Sequence, residues 1–353
     1  LRLRLTLDSI EFCLKKMPKF HSFLENTYFF SETGLTTDEE IAFGFVEMRH
    51  TIRQLLKRGL EIDDIARHIV WLVNCRMDFF EEIAKIRATR RIFARMMRDE
   101  FGAKNPRSQS LTMTCHTSGI ALTAQQPFNN IVRGAIQCAA LVMAGIQAIE
   151  ISAFDEPFRT PSPESHLVSL RTQQVIDLES GIGKVHDPLG GSYLVESLTN
   201  QMEQKILDGV RKVEALGDPA DLSAKGWFKK FFEDSMERYH KDIESKQRIK
   251  VGTNVHQMPE HEDTMLRDVA EAKIQPYIWH VERIKRYKER RDRDTIKEAL
   301  LTLKHTARDT SDNLMDSILE AFEKGATIGE ITGALRTAYD CPYDPYNKMA
   351  SPL

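Results

Sequence analysis

Apolar residues recur along this chain with two periods, and the alternation between them predicts its elements. Leu3, Leu7, Ile10 and Leu14 share one helical face and predict a helix over residues 3–16, stopped by Pro18. Residues 25–30 predict a strand, followed by a turn at Thr33-Gly34. Thr36-Thr37-Asp38 caps a helix predicted over residues 38–58 and ended by Gly59. A short helix at 63–68 leads into a buried strand at 69–74. Residues 78–101 predict a long amphipathic helix, its basic face (Arg87, Arg90, Arg91, Arg95, Arg98) read as solvated. A strand at 111–116 then breaks at Thr117-Ser118-Gly119, and an amide-rich stretch (Gln125, Gln126, Asn129, Asn130) opens the next helix. A further strand at 147–152 runs into Asp155 and Glu156.

Beyond it, helices are predicted at 165–178, 193–215 and 221–244, and a last short strand at 248–255. From Met265 onward the pattern is helical and charged, broken near Asp309 and Gly325, with a solvated run at 283–293. Asp187-Pro188-Leu189-Gly190-Gly191-Ser192 has no preceding strand and reads as a structural turn, not a phosphate loop.

Strands alternating with helices imply an α/β fold with a parallel sheet closed as a (β/α)8 TIM-type barrel. Strands near residues 25, 69, 110 and 147 make about half of one, with an unpaired edge at the first strand. Residues 1–258 are therefore expected to be the C-terminal part of a barrel, and residues 259–353 a helical extension. Polar residues gather where the strands end, which is where such folds bind ligands.

Composition narrows the class. The chain has 353 residues, 41% of them hydrophobic, enough for a sizeable core. A net charge of −3 argues against a nucleic-acid binder. No run of about 18 apolar residues predicts a membrane span. The five cysteines have neither metal nor disulfide spacing and read as reduced thiols, so a cytoplasmic location is expected.

The residues also carry a resemblance. TSG followed by LTAQQPFNNIVR, then FDE and DPLGGSYLVE, resemble the barrel motifs of the methylmalonyl-CoA mutase family, in order and spacing. FFEEIAKIRATRRIFARMMRDEFGAKNPRS before them, and VEALGD and KVGTN after them, extend it. The resemblance implies an adenosylcobalamin-dependent acyl-CoA mutase: a radical isomerase whose barrel binds the acyl-CoA and polarises its thioester carbonyl. It also implies that the chain is the C-terminal part of a longer large subunit, lacking an N-terminal barrel half. The cobalt-ligating DxHxxG signature is absent: His256, His280 and His305 have no such context, no metal site is expected here, and a small cobalamin-binding subunit is the expected partner.

Carried over by position, Glu156 matches a cofactor-binding glutamate, Gln147 a substrate- or CoA-contacting glutamine, and Arg67 falls near a CoA-phosphate arginine. The plainer readings are a surface acid, a strand-end amide and a helix-end arginine. Three places depart from the family. Phe29 in NTYFFSETG stands where the family has a histidine on the thioester carbonyl, although Tyr28, Glu32 and Gly34 around it fit. Thr114 and His116 stand where many members have His and Gln; Glu150 and Ser152 replace a His and an Asn near the cofactor. His116 is then the candidate carbonyl donor, against a structural strand-end histidine. The departures leave two further readings open: specificity for a bulky or branched acyl-CoA, and a silent paralogue that scaffolds a partner.

Overall fold

A computed structural model describes residues 1–271, 277–348 and 350–353. In chain order the principal elements are α1 (Arg2–Lys16), β1 (Phe23–Asn26), α2 (Tyr28–Ser31), α3 (Thr37–Lys57), α4 (Ile62–Ala66), β2 (Ile69–Cys75), α5 (Phe79–Arg95), β3 (Thr112–Thr117), α6 (Asn129–Met143) and β4 (Ala148–Glu150). Helices follow: α7 (Pro163–Leu178), α8 (Tyr193–Glu214), α9 (Pro219–Ala224), α10 (Trp227–Glu244), α11 (Thr264–Glu271), α12 (Ile278–Arg290), α13 (Arg293–Asp309), α14 (Leu314–Glu323) and α15 (Ile328–Ala338). They gather into two compact units, residues 23–274 and residues 1–22 with 275–353.

The larger unit is built on a parallel sheet of order β1-β2-β3-β4, with Asn26, Leu72, Thr114 and Ala148 paired across it. This is the mixed α/β fold with a parallel sheet that the alternation of periods predicted. Side chains alternate between its faces. One face is dry: Trp71 and Met113 are 0% exposed, and Phe45 of α3 packs edge-on against the Trp71 indole at 4.8 Å. Gly44 permits that approach, since a Cβ there would lie 2.4 Å from the indole ring. The opposite face is open, with Leu24 50% exposed and Thr112, Ala148 and Glu150 exposed.

Four local expectations change. The first strand ends at Asn26, not residue 30. Thr27 still donates its N–H to Leu72 O, but its hydroxyl is tied to Glu40 (3.1 Å) and Trp71 Nε1 (2.9 Å), and the chain turns there into α2. Residues 248–255 form no strand: Gly252, at φ 86°, folds the segment back so that its N–H meets Val255 O, leaving one isolated bridge. The helix predicted at 221–244 is broken into α9 and α10 at Gly226, which takes φ 77°. The basic face of α5 is not simply solvated. Arg87 binds Glu196 (2.6 Å) and Asp187, Arg91 binds Glu203 (2.5 Å), Arg95 also binds Glu203, and Arg90 donates to the Ala144 and Gly145 carbonyls at 2.6 Å. Those arginines fasten α8 and the end of α6 to α5.

The smaller unit packs α13, α14 and α15 around Leu300, Leu303, Leu314 and Leu335, with Leu1 and Leu5 against them. Arg4 donates to Ala307 O at 2.7 Å, and Leu314 N donates to the buried Asp8 carboxylate at 3.0 Å. The sequence reading placed α1 within residues 1–258, whereas these contacts group it with the C-terminal helices. The expected helical pattern is met by α11 to α15; its part at residues 272–276 lies outside the described residues. No helix among the described residues is long and apolar enough to cross a membrane.

Candidate functional site

At the C-terminal ends of β1, β2 and β3 the chain collects polar side chains, and hydrogen bonds fix Glu32, Asn74, His116, Ser118 and Ser152 among them. His116 closes β3 on the open face, two residues beyond Thr114 and paired across the sheet with Asn74 and Glu150. Its Nε2 lies 2.8 Å from Ser152 Oγ, and Ser152 Oγ donates to Thr117 O at 2.6 Å. A carbonyl only accepts, so the serine proton is committed to Thr117, and Nε2 must carry the proton shared with Ser152. The free ring nitrogen, Nδ1, faces Glu150 at 3.4 Å, and Glu156 lies 3.8 Å from Nε2. A neutral His116 thus has no donor left for a ligand. It can offer one from Nδ1 only when that nitrogen also carries a proton.

The Tyr28 ring packs at a tilt against His116, centroids 4.8 Å apart, and the Phe29 ring meets Tyr28 edge-on at 5.5 Å. Burial first, and then the charges of Glu32 and Glu156, push the Tyr28 phenol above its ordinary range, so it stays a neutral donor. Burial also raises the Glu156 carboxyl, opposed chiefly by His116. Glu32 is the hub of the mouth. It accepts from Asn74 Nδ2 (2.6 Å), Ser118 Oγ (2.8 Å) and Ile120 N (2.8 Å), tying together the ends of β1, β2 and β3.

Behind this mouth lies a buried ionic cluster. Lys85 Nζ contacts Glu82 (2.6 Å), Glu40 (3.0 Å) and Asn74 O (2.7 Å), all with side chains no more than 2% exposed. Glu40 also accepts from Asn74 N at 2.9 Å. Burial alone would strip the ammonium of its proton, but the two carboxylates outweigh that and hold Lys85 charged, above its ordinary range. The cluster grips both backbone polar groups of Asn74, and Asn74 in turn holds Glu32.

Of the residues singled out in the sequence, His116, Thr114, Glu150, Ser152 and Glu156 come together at this end, and Phe29 joins them through Tyr28. Phe29 stands on α2 rather than on a strand and is 65% exposed. Ser152 is 3% exposed, and its hydroxyl is spent on orienting His116. Arg67 and Gln147 are not in the group. Both precede their strands, at the opposite end of the sheet. Arg67 pairs with Asp64 at 2.9 Å, and Gln147 Oε1 accepts from Met113 N at 2.8 Å. Sequence reasoning passed over the hub, Glu32, and the Lys85 cluster. The one signal for Glu32 was its place beside Tyr28 in a matching motif; nothing marked Lys85, which falls in an ordinary helical pattern.

Fold and mouth define a class: an α/β protein whose ligand-type polar cluster lies at the carboxyl ends of parallel strands. A sequence profile of the methylmalonyl-CoA mutase family matches residues 2–341, and the chain belongs to that family. It is 35% identical over 337 residues to a methylmalonyl-CoA mutase of Rhizobium meliloti (strain 1021), covering 96% of this chain and 47% of that protein. It is 33% identical over 338 residues to the 2-hydroxyisobutanoyl-CoA mutase large subunit of Aquincola tertiaricarbonis, covering 94% of this chain and 59% of the relative. The mitochondrial methylmalonyl-CoA mutase of Homo sapiens is 33% identical over 337 residues, covering 96% and 45%. The chain spans about half the length of the curated relatives it matches.

Proposed function

We propose that this chain is the acyl-CoA-binding part of the catalytic large chain of an adenosylcobalamin-dependent acyl-CoA mutase, an isomerase that rearranges the carbon skeleton of an acyl-CoA. The observation that carries the reading is the cluster of Tyr28, Glu32, His116, Ser152 and Glu156 at the carboxyl ends of the strands, in a chain of this family. A second half of a TIM-type barrel would cover the open sheet face at Leu24, Thr112 and Ala148, as parallel sheets require on both faces. Of residues 1–258, those from Phe23 onward would contribute the barrel part, and α1 would join residues 259–353 in the extension.

The donor set fits a hydroxyl-rich cofactor. Glu156, with two acceptor oxygens, would hold ribose hydroxyls, with Glu150 at the rim and Ser152 acting through His116. When bound, adenosylcobalamin supplies the radical chemistry. Cobalt would be ligated by a separate small subunit, since no histidine here stands in a DxHxxG context. The chain's own residues bind and orient the acyl group, exclude water, and polarise the thioester carbonyl. Tyr28, held neutral, is the donor available for that carbonyl, with His116 beside it donating from Nδ1 when that nitrogen carries a proton. Arg67 and Gln147, at the other end of the sheet, would meet the CoA moiety that reaches that end.

Phe29 favours a narrower version. Its exposed ring beside Tyr28 adds an apolar wall and no hydrogen bond. A substrate carboxylate left unpaired there costs several kcal/mol, while an extra methylene gains about 0.8 kcal/mol. The mouth thus favours a non-carboxylated, bulky or branched acyl group over methylmalonyl-CoA. The relative named a 2-hydroxyisobutanoyl-CoA mutase large subunit supports both this preference and a small-subunit partner. The test is turnover by the complete enzyme with its cobalamin subunit, comparing methylmalonyl-CoA with branched acyl-CoAs. Branched substrates should win, and Phe29→His should narrow the margin. Efficient methylmalonyl-CoA turnover that is indifferent to Phe29→His would refute the specificity reading; tight cobalamin binding by this chain alone would refute the two-subunit reading.

A further inference from the structure

Beside the mouth, separated from it by Ser118, lies a second cavity of about 220 Å³. Four cationic side chains line it, from three places in the chain: Arg76 just after β2, Arg133 on α6, and Arg248 and Lys250 in the segment after α10. Tyr239 of α10 forms one wall, with Arg248 at 4.9 Å, Lys250 at 5.8 Å and Arg76 at 6.0 Å from its ring centroid. Three cations on one ring are more than that ring can offset.

Among the described residues, none of the four is ion-paired to a carboxylate. Arg76 donates to Ser31 O (2.5 Å), Arg133 to Thr123 Oγ1, Asn130 Oδ1 and Val251 O, and Lys250 to Ile120 O (2.5 Å) and Leu122 O (3.2 Å). Capacity is left over. Arg76 Nε is buried without a hydrogen-bond partner, the Lys250 ammonium has a third proton, and Arg248 contributes only its stacking contact. Glu32, the acid whose charge acts on Lys250, already accepts three hydrogen bonds at the mouth. Concentrated positive charge, unspent donors and a recessed volume together describe an anion site.

We propose that this pocket binds a phosphate dianion, either free or as a small monoester. The volume decides the size class, because drug-sized ligands occupy about 300–1,000 Å³. Guanidinium forks match phosphate oxygens, and two arginines with a lysine can neutralise both charges. The site does not rest on the acyl-CoA reading and stands or falls without it. Burial, and then Arg133 and Arg248, lower Lys250 to about 8, with Glu32 opposing. The groups facing that ammonium are Arg76, Arg133, Arg248, Tyr239 and Glu32, so a bound dianion would raise its proton affinity.

Calorimetric titration of the chain tests this, using sodium phosphate and glycerol 3-phosphate against sodium chloride at matched ionic strength. One saturable site for phosphate is expected, absent for chloride and weakened about tenfold or more by Arg248→Gln. The control Arg238→Gln, which removes a surface pair to Glu39, should leave it unchanged. Equal binding of the two ligands means the phosphate group alone is read; tighter monoester binding means the remaining volume is used. Either supports the site. Near pH 8 the wild type should also take up protons on binding, seen by repeating the titration in buffers of different ionisation enthalpy; this readout needs no variant. Absence of saturable binding by both ligands, or the same affinity in Arg248→Gln, would overturn the proposal.

Discussion

Lys85→Met is the sharpest test of how the mouth is held. The substitution keeps most of the side-chain volume and removes the charge, leaving Glu40 and Glu82 facing each other in a site where neither carboxylate is more than 2% exposed. Breaking a buried pair from one side costs about 3–5 kcal/mol, because the orphaned charge stays desolvated. For a unit of this size that corresponds to a Tm lower by roughly 6–20 °C. The sign with pH follows from which groups titrate. In the wild type Lys85 is held above its ordinary range, so its contribution is present throughout the neutral range and is lost only in strong base. In the variant the two carboxylates stay buried with no cation between them, and protonation removes that unpaired charge. Stability should then be highest in acid, where both are protonated, and fall as pH rises. Guanidinium melts of wild type and variant, followed by Trp71 fluorescence at pH 5 and pH 8, measure this. A loss below about 1 kcal/mol at pH 8, or a loss equal at both pH values, would refute the account of the cluster as a charge-balanced clamp on Asn74.

Four further outcomes are expected. Glu25 is buried and its carboxyl is raised, first by burial and then by Glu47; the stability this group allows is full in acid and is lost as pH rises, so Glu25→Gln should be more stable than wild type at pH 8 and not at pH 4, in urea melts. Gly44→Ala should cost about 1–3 kcal/mol or more in the same melts, because its Cβ would meet both Trp71 and Thr27 within 2.5 Å. In the smaller unit, Glu330 has a pKa of about 2: burial raises it, but Arg291, bidentate at 2.7 and 2.9 Å, and Thr327 outweigh that. Stability from that pair is present above the ordinary glutamate range and is lost as pH falls towards 2, so Arg291→Gln should flatten the acid limb of the melting curve. At the mouth, Ser152→Ala should free the His116 ring and lower kcat of the complete enzyme more than it raises KM, whereas Ser152→Thr, which keeps the hydroxyl, should retain most of kcat.

Much of the layout could be read from the chain. The parallel strands were legible because β-branched and apolar runs at 69–74 and 111–116 are bounded by turn residues, and Thr36 and Glu39 form the helix cap that the residue types promised, with Thr36 N donating to Glu39 at 2.8 Å. His116 and Glu150 share a face because they are paired neighbours on β3 and β4, whereas Glu156, singled out by the resemblance, comes within 3.8 Å of His116 from the turn after β4. What failed was whatever depends on a partner distant in sequence. β1 ends early because Thr27 is held by Glu40 and Trp71, and the α5 arginines are paired because α8 packs there. Gln147 matched a motif position and Arg67 fell near one, and the direction of the strands puts both at the end of the sheet away from His116. By itself, the sequence determined the order of the elements, since local propensity and period act between near neighbours. The tertiary structure alone decided which charges are buried and paired, since desolvation and ion pairing depend on groups brought together only when the helices close over the sheet.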